Sequence, residues 1–242
     1  MIRIKELDDI SKDFSMLSMQ PLIITAHLRP GGRIVANDPI HLDGLLARCV
    51  IEMATGGGGV PNVADDGYWI PLPLKLAWQS EEGFPLWDCS VFLPRGPVIE
   101  DVFYRHKRTS HGTRSDTSRV KTVVGRWMER RLPLPVQVCD VWQARCIGNR
   151  GAILELLEIV DFLGKHRAIG FGEIERWTVE RGDFETAIII DGRLAHAIPE
   201  SAAVILPRSP AQSPTTCIGW TPPQWKVCLQ SPGWRVETEL RK

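Results

Sequence analysis

Two amphipathic segments, widely separated in the chain, constrain its fold more than any other feature. In residues 37–55, NDPIHLDGLLARCVIEMAT, the residues Leu42, Leu45, Leu46, Cys49, Val50 and Met53 recur at the spacing of one helical face. Asn37 or Asp38 can cap this helix, and Pro39 is tolerated in its first turn. The run ends in four consecutive glycines from Gly56, whose backbone freedom makes helix too costly to continue. In residues 149–163, Ile153, Leu156, Leu157, Val160 and Leu163 form a second stripe, with Glu155 and Glu158 outside it. The rest reads as strands. Residues 21–29, PLIITAHLR, alternate from Leu22. YWIPLPLKLAW, LWDCSVFLP and VIEDVFYRH are three further strand segments, the first demoted to an edge or irregular strand by Pro71 and Pro73. Residues 123–147 are strand-like, with Pro133 and Pro135 as a break. Near the end, AIIIDGRLAHAI holds Asp191-Gly192, a good hairpin turn. A Pro/Ser/Thr-rich stretch and a Trp-rich end follow.

Strand, helix, several strands, helix, strand is an α+β order. It matches the split βαβ arrangement of a ferredoxin-like (RRM-like) domain with a large insertion in its middle. Fold alone does not give function, so chemistry has to come from particular residues. The 43% apolar and 24% charged content is that of an ordinary globular protein. Uninterrupted apolar runs fall far short of a membrane span, and the mixed-charge N-terminus MIRIKELDDISKDF lacks the apolar core of a signal peptide. A cytoplasmic location is expected. The six cysteines form no CxxC pair and no zinc-ligand spacing, so they read as reduced, mostly buried thiols. No metal and no cofactor are expected.

The 29 Lys+Arg balance 29 Asp+Glu, which at first argues against a nucleic-acid partner. The balance is not local. Residues 104–131 hold nine Lys/Arg and two Asp/Glu, a net +7 that the remaining chain offsets. Arg105, Lys107, Arg108, Arg114, Arg119, Lys121, Arg126, Arg130 and Arg131 can neutralise phosphates, and each contact would steepen the salt dependence of binding. Phe103, Tyr104 and Trp127 lie beside them and can stack on exposed bases. A solvated surface hairpin would carry the same residues.

A second candidate follows the second helix: residues 164–172, GKHRAIGFG. Gly170 and Gly172 let backbone come close to a ligand, and bare N–H groups can cradle an anion. Lys165, His166 and Arg167 put cations at the same place. A helix C-cap at Gly164 followed by a tight turn would look alike. The loop leads into a strand, unlike a dinucleotide fingerprint, and lacks the Gly-Lys-Ser/Thr of a Walker loop. The six histidines, His27, His41, His106, His111, His166 and His196, could include a general base or acid, but no two have a diagnostic spacing.

The first strand, the segment PIHLDGLLA at residues 39–47, the second helix and the glycine-rich loop together resemble the RAMP superfamily of CRISPR-associated proteins. PIHLDGLLA is similar to a segment of the small RAMP subunit of type IV CRISPR effector complexes. The resemblance covers a core of about residues 20–55 and 150–180 within one domain of residues 1–242. Residues 98–147 match, in place and charge, the family's thumb insertion, and residues 184–242 form a C-terminal β extension. The resemblance implies a non-catalytic RNA-binding subunit. It would bind and cap the 5′ handle of the crRNA and anchor the backbone filament. Its partners would be crRNA, the backbone RAMP subunits and the large subunit, with target DNA met indirectly. Some relatives instead process precursor crRNA without metal, so a RAMP endoribonuclease is the alternative.

Overall fold

Alternation in the first strand organises the molecule. In β1 (Gln20–Leu28), Leu22, Ile24, Ala26 and Leu28 are buried on one face, while Ile23, Thr25 and His27 point to the other. Each buried leucine and isoleucine of this face contributes about 1.5–3 kcal/mol. The structure is a computed structural model, and it describes residues 14, 17–35, 39–56, 70–107, 130–207, 215–222, 224 and 230–236.

β1 lies inside a five-stranded antiparallel sheet. β9 (Val141–Gly148) and β10 (Ile174–Arg181) flank it, β6 (Val91–Pro94) lies beyond β9, and β3 (Ile40–His41) closes the edge. The order is β10-β1-β9-β6-β3. Helix α1 (Leu42–Thr55) lies between β1 and β6 in the chain, and helix α2 (Arg150–Leu157) between β9 and β10. Leu42, Leu46, Cys49 and Val50 of α1 and Ile153, Leu156 and Leu157 of α2 share one core with the inward residues of β1 and β9. All of β9 but Gly148 lies within residues 98–147, so part of the stretch read as an insertion belongs to the central sheet.

Both helices differ from their expected limits. Asn37 and Asp38 lie outside the described residues, and α1 starts at Leu42, after His41. Ile40 and His41 are paired with Phe92 and Val91, so their backbone belongs to a ladder rather than a first helical turn. Gly56, in the left-handed region, ends α1 as expected. Asn149 caps α2 by accepting the Ala152 N–H at 3.0 Å. The helix stops at Leu157 instead of 163, because the following backbone is used elsewhere. Asp161 O accepts the Ile174 N–H, Val160 O accepts the Trp177 indole N–H, and Phe162 bridges to Glu173.

A second sheet, β2-β8-β7, combines β2 (Arg33–Val35), β7 (Ile99–Lys107) and β8 (Arg130–Val138). β8 runs through Pro133 and Pro135, where a break was expected. Both prolines lie where β8 pairs only with β7, since β2 reaches no further than Val136. On that open side a missing N–H costs no ladder bond. Residues 70–74, expected as an edge or irregular strand, make only an isolated bridge from Leu74 to Gly148, while β4 (Leu76–Gln79) pairs with β5 (Pro85–Trp87).

The C-terminal part is a β module. β11 (Ile189–Ile190) and β12 (Arg193–Leu194) form the expected hairpin, with Asp191 and Gly192 both at positive φ. β13 (Ile198–Pro199), β14 (Thr215–Gly219) and β15 (Gln230–Trp234) form a three-stranded sheet. Trp220 sits in its core with Ile198 and Leu86, and its ring meets Trp78 edge-on at 5.8 Å. The described residues contain no helix long and apolar enough to cross a membrane.

Candidate nucleic-acid interface

The glycine-rich loop is a closed excursion from the central sheet. Its neck is the Phe162–Glu173 bridge and a bond from the Leu163 N–H to Gly172 O at 2.7 Å. Within it, Gly164, His166, Gly170 and Gly172 all have positive φ. His166 is the exception to the glycine rule, at φ 66°. Residues Arg167–Ile169 make one 3-10 turn, closed by the Ile169 and Gly170 N–H groups. Lys165, Arg167 and Ile169 are exposed and His166 is half-buried. The expected cations therefore do gather on one exposed turn. Gly170 has nothing within 4 Å of a Cβ position, so the backbone is bare there. Gly172 is the opposite case, since a Cβ would stand 1.9 Å from Leu163 O.

Phe171 decides where this turn is held. It is buried in a small cluster with Val35 and Val136, and Phe103 packs against that cluster. The Phe103 and Phe171 rings meet edge-on at 5.1 Å. The loop is thus pinned to the β7–β8 ribbon. Strand alternation places Arg105 on the same ribbon face as Phe103, and Arg105 is exposed. Tyr104 lies on the other face, 43% exposed, with the Arg131 guanidinium 4.0 Å from its ring centroid.

The sequence-derived sites thus divide into four groups. Lys165, His166, Arg167, Gly170 and Gly172 come together on the loop, and Arg105 lies on the ribbon face to which that loop is pinned. Arg131 stacks on Tyr104 across that ribbon. Lys107 and Arg130 are paired as the last described rung of the ladder. Arg108, Arg114, Arg119, Lys121 and Arg126 lie outside the described residues, as do His111 and Trp127.

Sequence reading missed two features. The first is Phe171 as the joint between loop and ribbon. An aromatic flanked by Gly170 and Gly172 in a polar loop was its one visible signal. The second is a buried polar cluster at the start of α1. Asp43 and His196 are both fully buried, with Asp43 Oδ2 and His196 Nε2 3.2 Å apart. His196 Nδ1 donates to the Ala197 carbonyl at 2.7 Å. The Gly44 N–H and the Gln224 side-chain amide donate to Asp43 Oδ1, at 2.8 and 3.1 Å. His41 stands edge-on to His196, with ring centroids 5.4 Å apart. Burial pushes the Asp43 carboxyl up, but the facing His196, then His41 and the Gly44 N–H, together hold it below its ordinary value. Burial pulls His196 down, yet Asp43 and the Ala197 carbonyl raise it overall. His41, Asp43 and Gly44 of the PIHLDGLLA segment thus meet the C-terminal module, while Leu42, Leu46 and Ala47 enter the core. A Cβ on Gly44 would stand 3.0 Å from Gln224 Oε1, so that glycine makes room for the contact.

Comparison with known families adds one finding. Residues 88–197 match the family Csf3, described as CRISPR type IV associated protein Csf3. The matched segment is a little under half of the chain. It contains the ribbon, α2, the glycine-rich loop and His196, and leaves out PIHLDGLLA. The type IV CRISPR association implied by the sequence is thereby shown. No curated protein matches the chain.

Proposed function

We propose that this type IV CRISPR-associated protein is a non-catalytic RNA-binding subunit of the effector ribonucleoprotein. In this reading it binds and caps the 5′ handle of the crRNA and anchors one end of the filament of backbone subunits. The observation that carries the proposal is the Phe103–Phe171 contact. It fixes a glycine-rich turn bearing Lys165, His166 and Arg167 against the face of a ribbon that carries Arg105. An exposed turn carrying cations beside a basic ribbon suits the sugar–phosphate track of a single strand. Single-stranded segments are also what sequence-specific RNA recognition reads, because their bases can be splayed and stacked.

The strand order β10-β1-β9-β6, with α1 and α2 as its two helical connections, supports reading the central sheet as a ferredoxin-like RAMP core. The ribbon would then be the thumb, and the edges of sheet and ribbon would meet the backbone RAMP subunits and the large subunit. Target DNA would be reached only through the guide. What favours binding over cleavage is the placement of the histidines. His41 and His196 are engaged with Asp43 at the C-terminal module, and of the described histidines His166 is the one in the loop.

The test is RNA capture and fate. The full chain, expressed with its repeat RNA, is expected to co-purify with RNA of one defined 5′ sequence and to leave labelled repeat RNA uncut in metal-free buffer. Stoichiometric cutting, lost in His166→Ala, would establish the endoribonuclease reading instead. Phe171→Ala should release the loop from the ribbon and lower RNA affinity. Full affinity in a folded Phe171→Ala protein would remove the loop–ribbon joint from the interface.

A further inference from the structure

We propose that His41, Asp43 and His196 bind one divalent transition-metal ion, zinc by the chemistry of the donor set, which fastens the C-terminal module to the start of α1. The proposal stands apart from the RNA-binding reading. The three donor atoms all lie within 4.8 Å of one another. His196 Nε2 is 3.2 Å from Asp43 Oδ2, and His41 Nδ1 is 4.0 Å from Asp43 Oδ1. Zinc–ligand distances of about 2.0–2.1 Å put tetrahedral donors about 3.3 Å apart, so the His196–Asp43 Oδ2 pair is already at the spacing, while the His41 ring, now nearest Oδ1, has to move toward Oδ2 to join it. The two imidazoles are set edge-on at 80°, and their ligand nitrogens lie within 4.8 Å of each other.

The surroundings match those of a metal ligand set. A ligating histidine typically gives its other N–H to a carbonyl, and His196 Nδ1 does so to Ala197. The Asp43 carboxylate has one oxygen held by the Gly44 N–H and the Gln224 amide, which leaves Oδ2 directed at the cluster. Two imidazoles with one carboxylate favour zinc over magnesium or calcium, which take oxygen donors. The His41 side chain is 17% exposed, whereas Asp43 and His196 are fully enclosed, so entry and a fourth, water ligand belong on the His41 side. Asp43 and His196 are 153 residues apart, which is why no ligand spacing was visible in the chain.

The experiment uses the tag-free full chain, stripped with EDTA and dialysed. One equivalent of zinc is added, excess is removed by gel filtration, and the metal is counted by mass spectrometry. The expected result is one zinc per chain, a higher melting temperature, and visible d–d absorption with cobalt that zinc displaces. His41→Ala changes a half-buried residue and should keep the fold. Its zinc affinity should fall by more than the roughly 10–100-fold that losing an outer partner costs. His196→Gln should abolish binding. Should that variant not fold, the wild-type cobalt spectrum still decides. No retained zinc and a featureless cobalt spectrum would overturn the proposal and leave a metal-free His196–Asp43 ion pair as the clamp. Undiminished binding in His41→Ala would overturn it equally, by placing the metal elsewhere.

Discussion

Gly170 and Gly172 both have positive φ, at 80° and 69°, yet alanine should behave very differently at the two positions. An L-residue in this region costs about 1–2 kcal/mol, and Gly170→Ala should cost no more, because its Cβ would meet nothing within 4 Å. At Gly172 the same Cβ would lie 1.9 Å from Leu163 O and 2.9 Å from Leu163 C. Backbone on both sides leaves no flexible side chain to yield. Relief requires opening the loop neck and giving up the bond from the Leu163 N–H to Gly172 O. Leu163 is fully buried, so water does not replace that bond, and its loss adds about 1–3 kcal/mol. Gly172→Ala should therefore cost about 2–5 kcal/mol in total. With a urea slope of about 1–3 kcal/mol/M, the two variants should differ in midpoint by about 1 M. Urea titration followed by tryptophan fluorescence measures this directly. Equal midpoints would refute the reasoning, because they would mean that the neck tolerates a Cβ.

Four further outcomes are expected. Asn149→Ala removes the α2 cap and should lower stability by about 1 kcal/mol, read as a lower urea midpoint. Asp88→Ala leaves the buried Ala187 N–H without its acceptor at 2.7 Å; a loss of about 1–3 kcal/mol is expected, and protease sensitivity beyond residue 184 should rise. If Arg105 and Arg131 each contact a phosphate, replacing either by Ala should lower the log–log salt slope of RNA binding by about 1, in filter binding across a salt series. Among the described cysteines, alkylation of the native chain near neutral pH should mark the exposed Cys217 first. Burial pushes the Cys49 thiol up to about 12 and raises Cys89 and Cys146 as well, so little thiolate is present at these sites. Peptide mapping showing Cys49 labelled as fast as Cys217 would contradict the packing of α1.

Much of the local structure was legible because it depends on neighbours in the chain. The alternation of Leu22, Ile24 and Ala26 specifies a strand with one buried face whatever lies beside it. The spacing of Leu42, Leu46, Cys49 and Val50 specifies a helix, and Gly56 its end. Asp191-Gly192 supplies the two positive φ values of a tight hairpin. The limits of the elements were less legible, because long-range pairing sets them. Ile40 and His41 leave the helix for an edge ladder with β6, and the Val160 and Asp161 carbonyls leave α2 for the start of β10. Pro133 and Pro135 look like a break until the ladder reveals that β2 does not reach them.

The candidate interface divides the same way. The cations of the loop and ribbon, and the glycines among them, are properties of composition and were determined by the sequence alone. That loop and ribbon form one surface was decided by Phe171 packing on Phe103, and that the PIHLDGLLA segment meets the C-terminal module was decided by His196 reaching Asp43. Those partners lie 68 and 153 residues apart. Periodicity and propensity act over a few residues, whereas such contacts form only when burial of the whole core brings distant segments together.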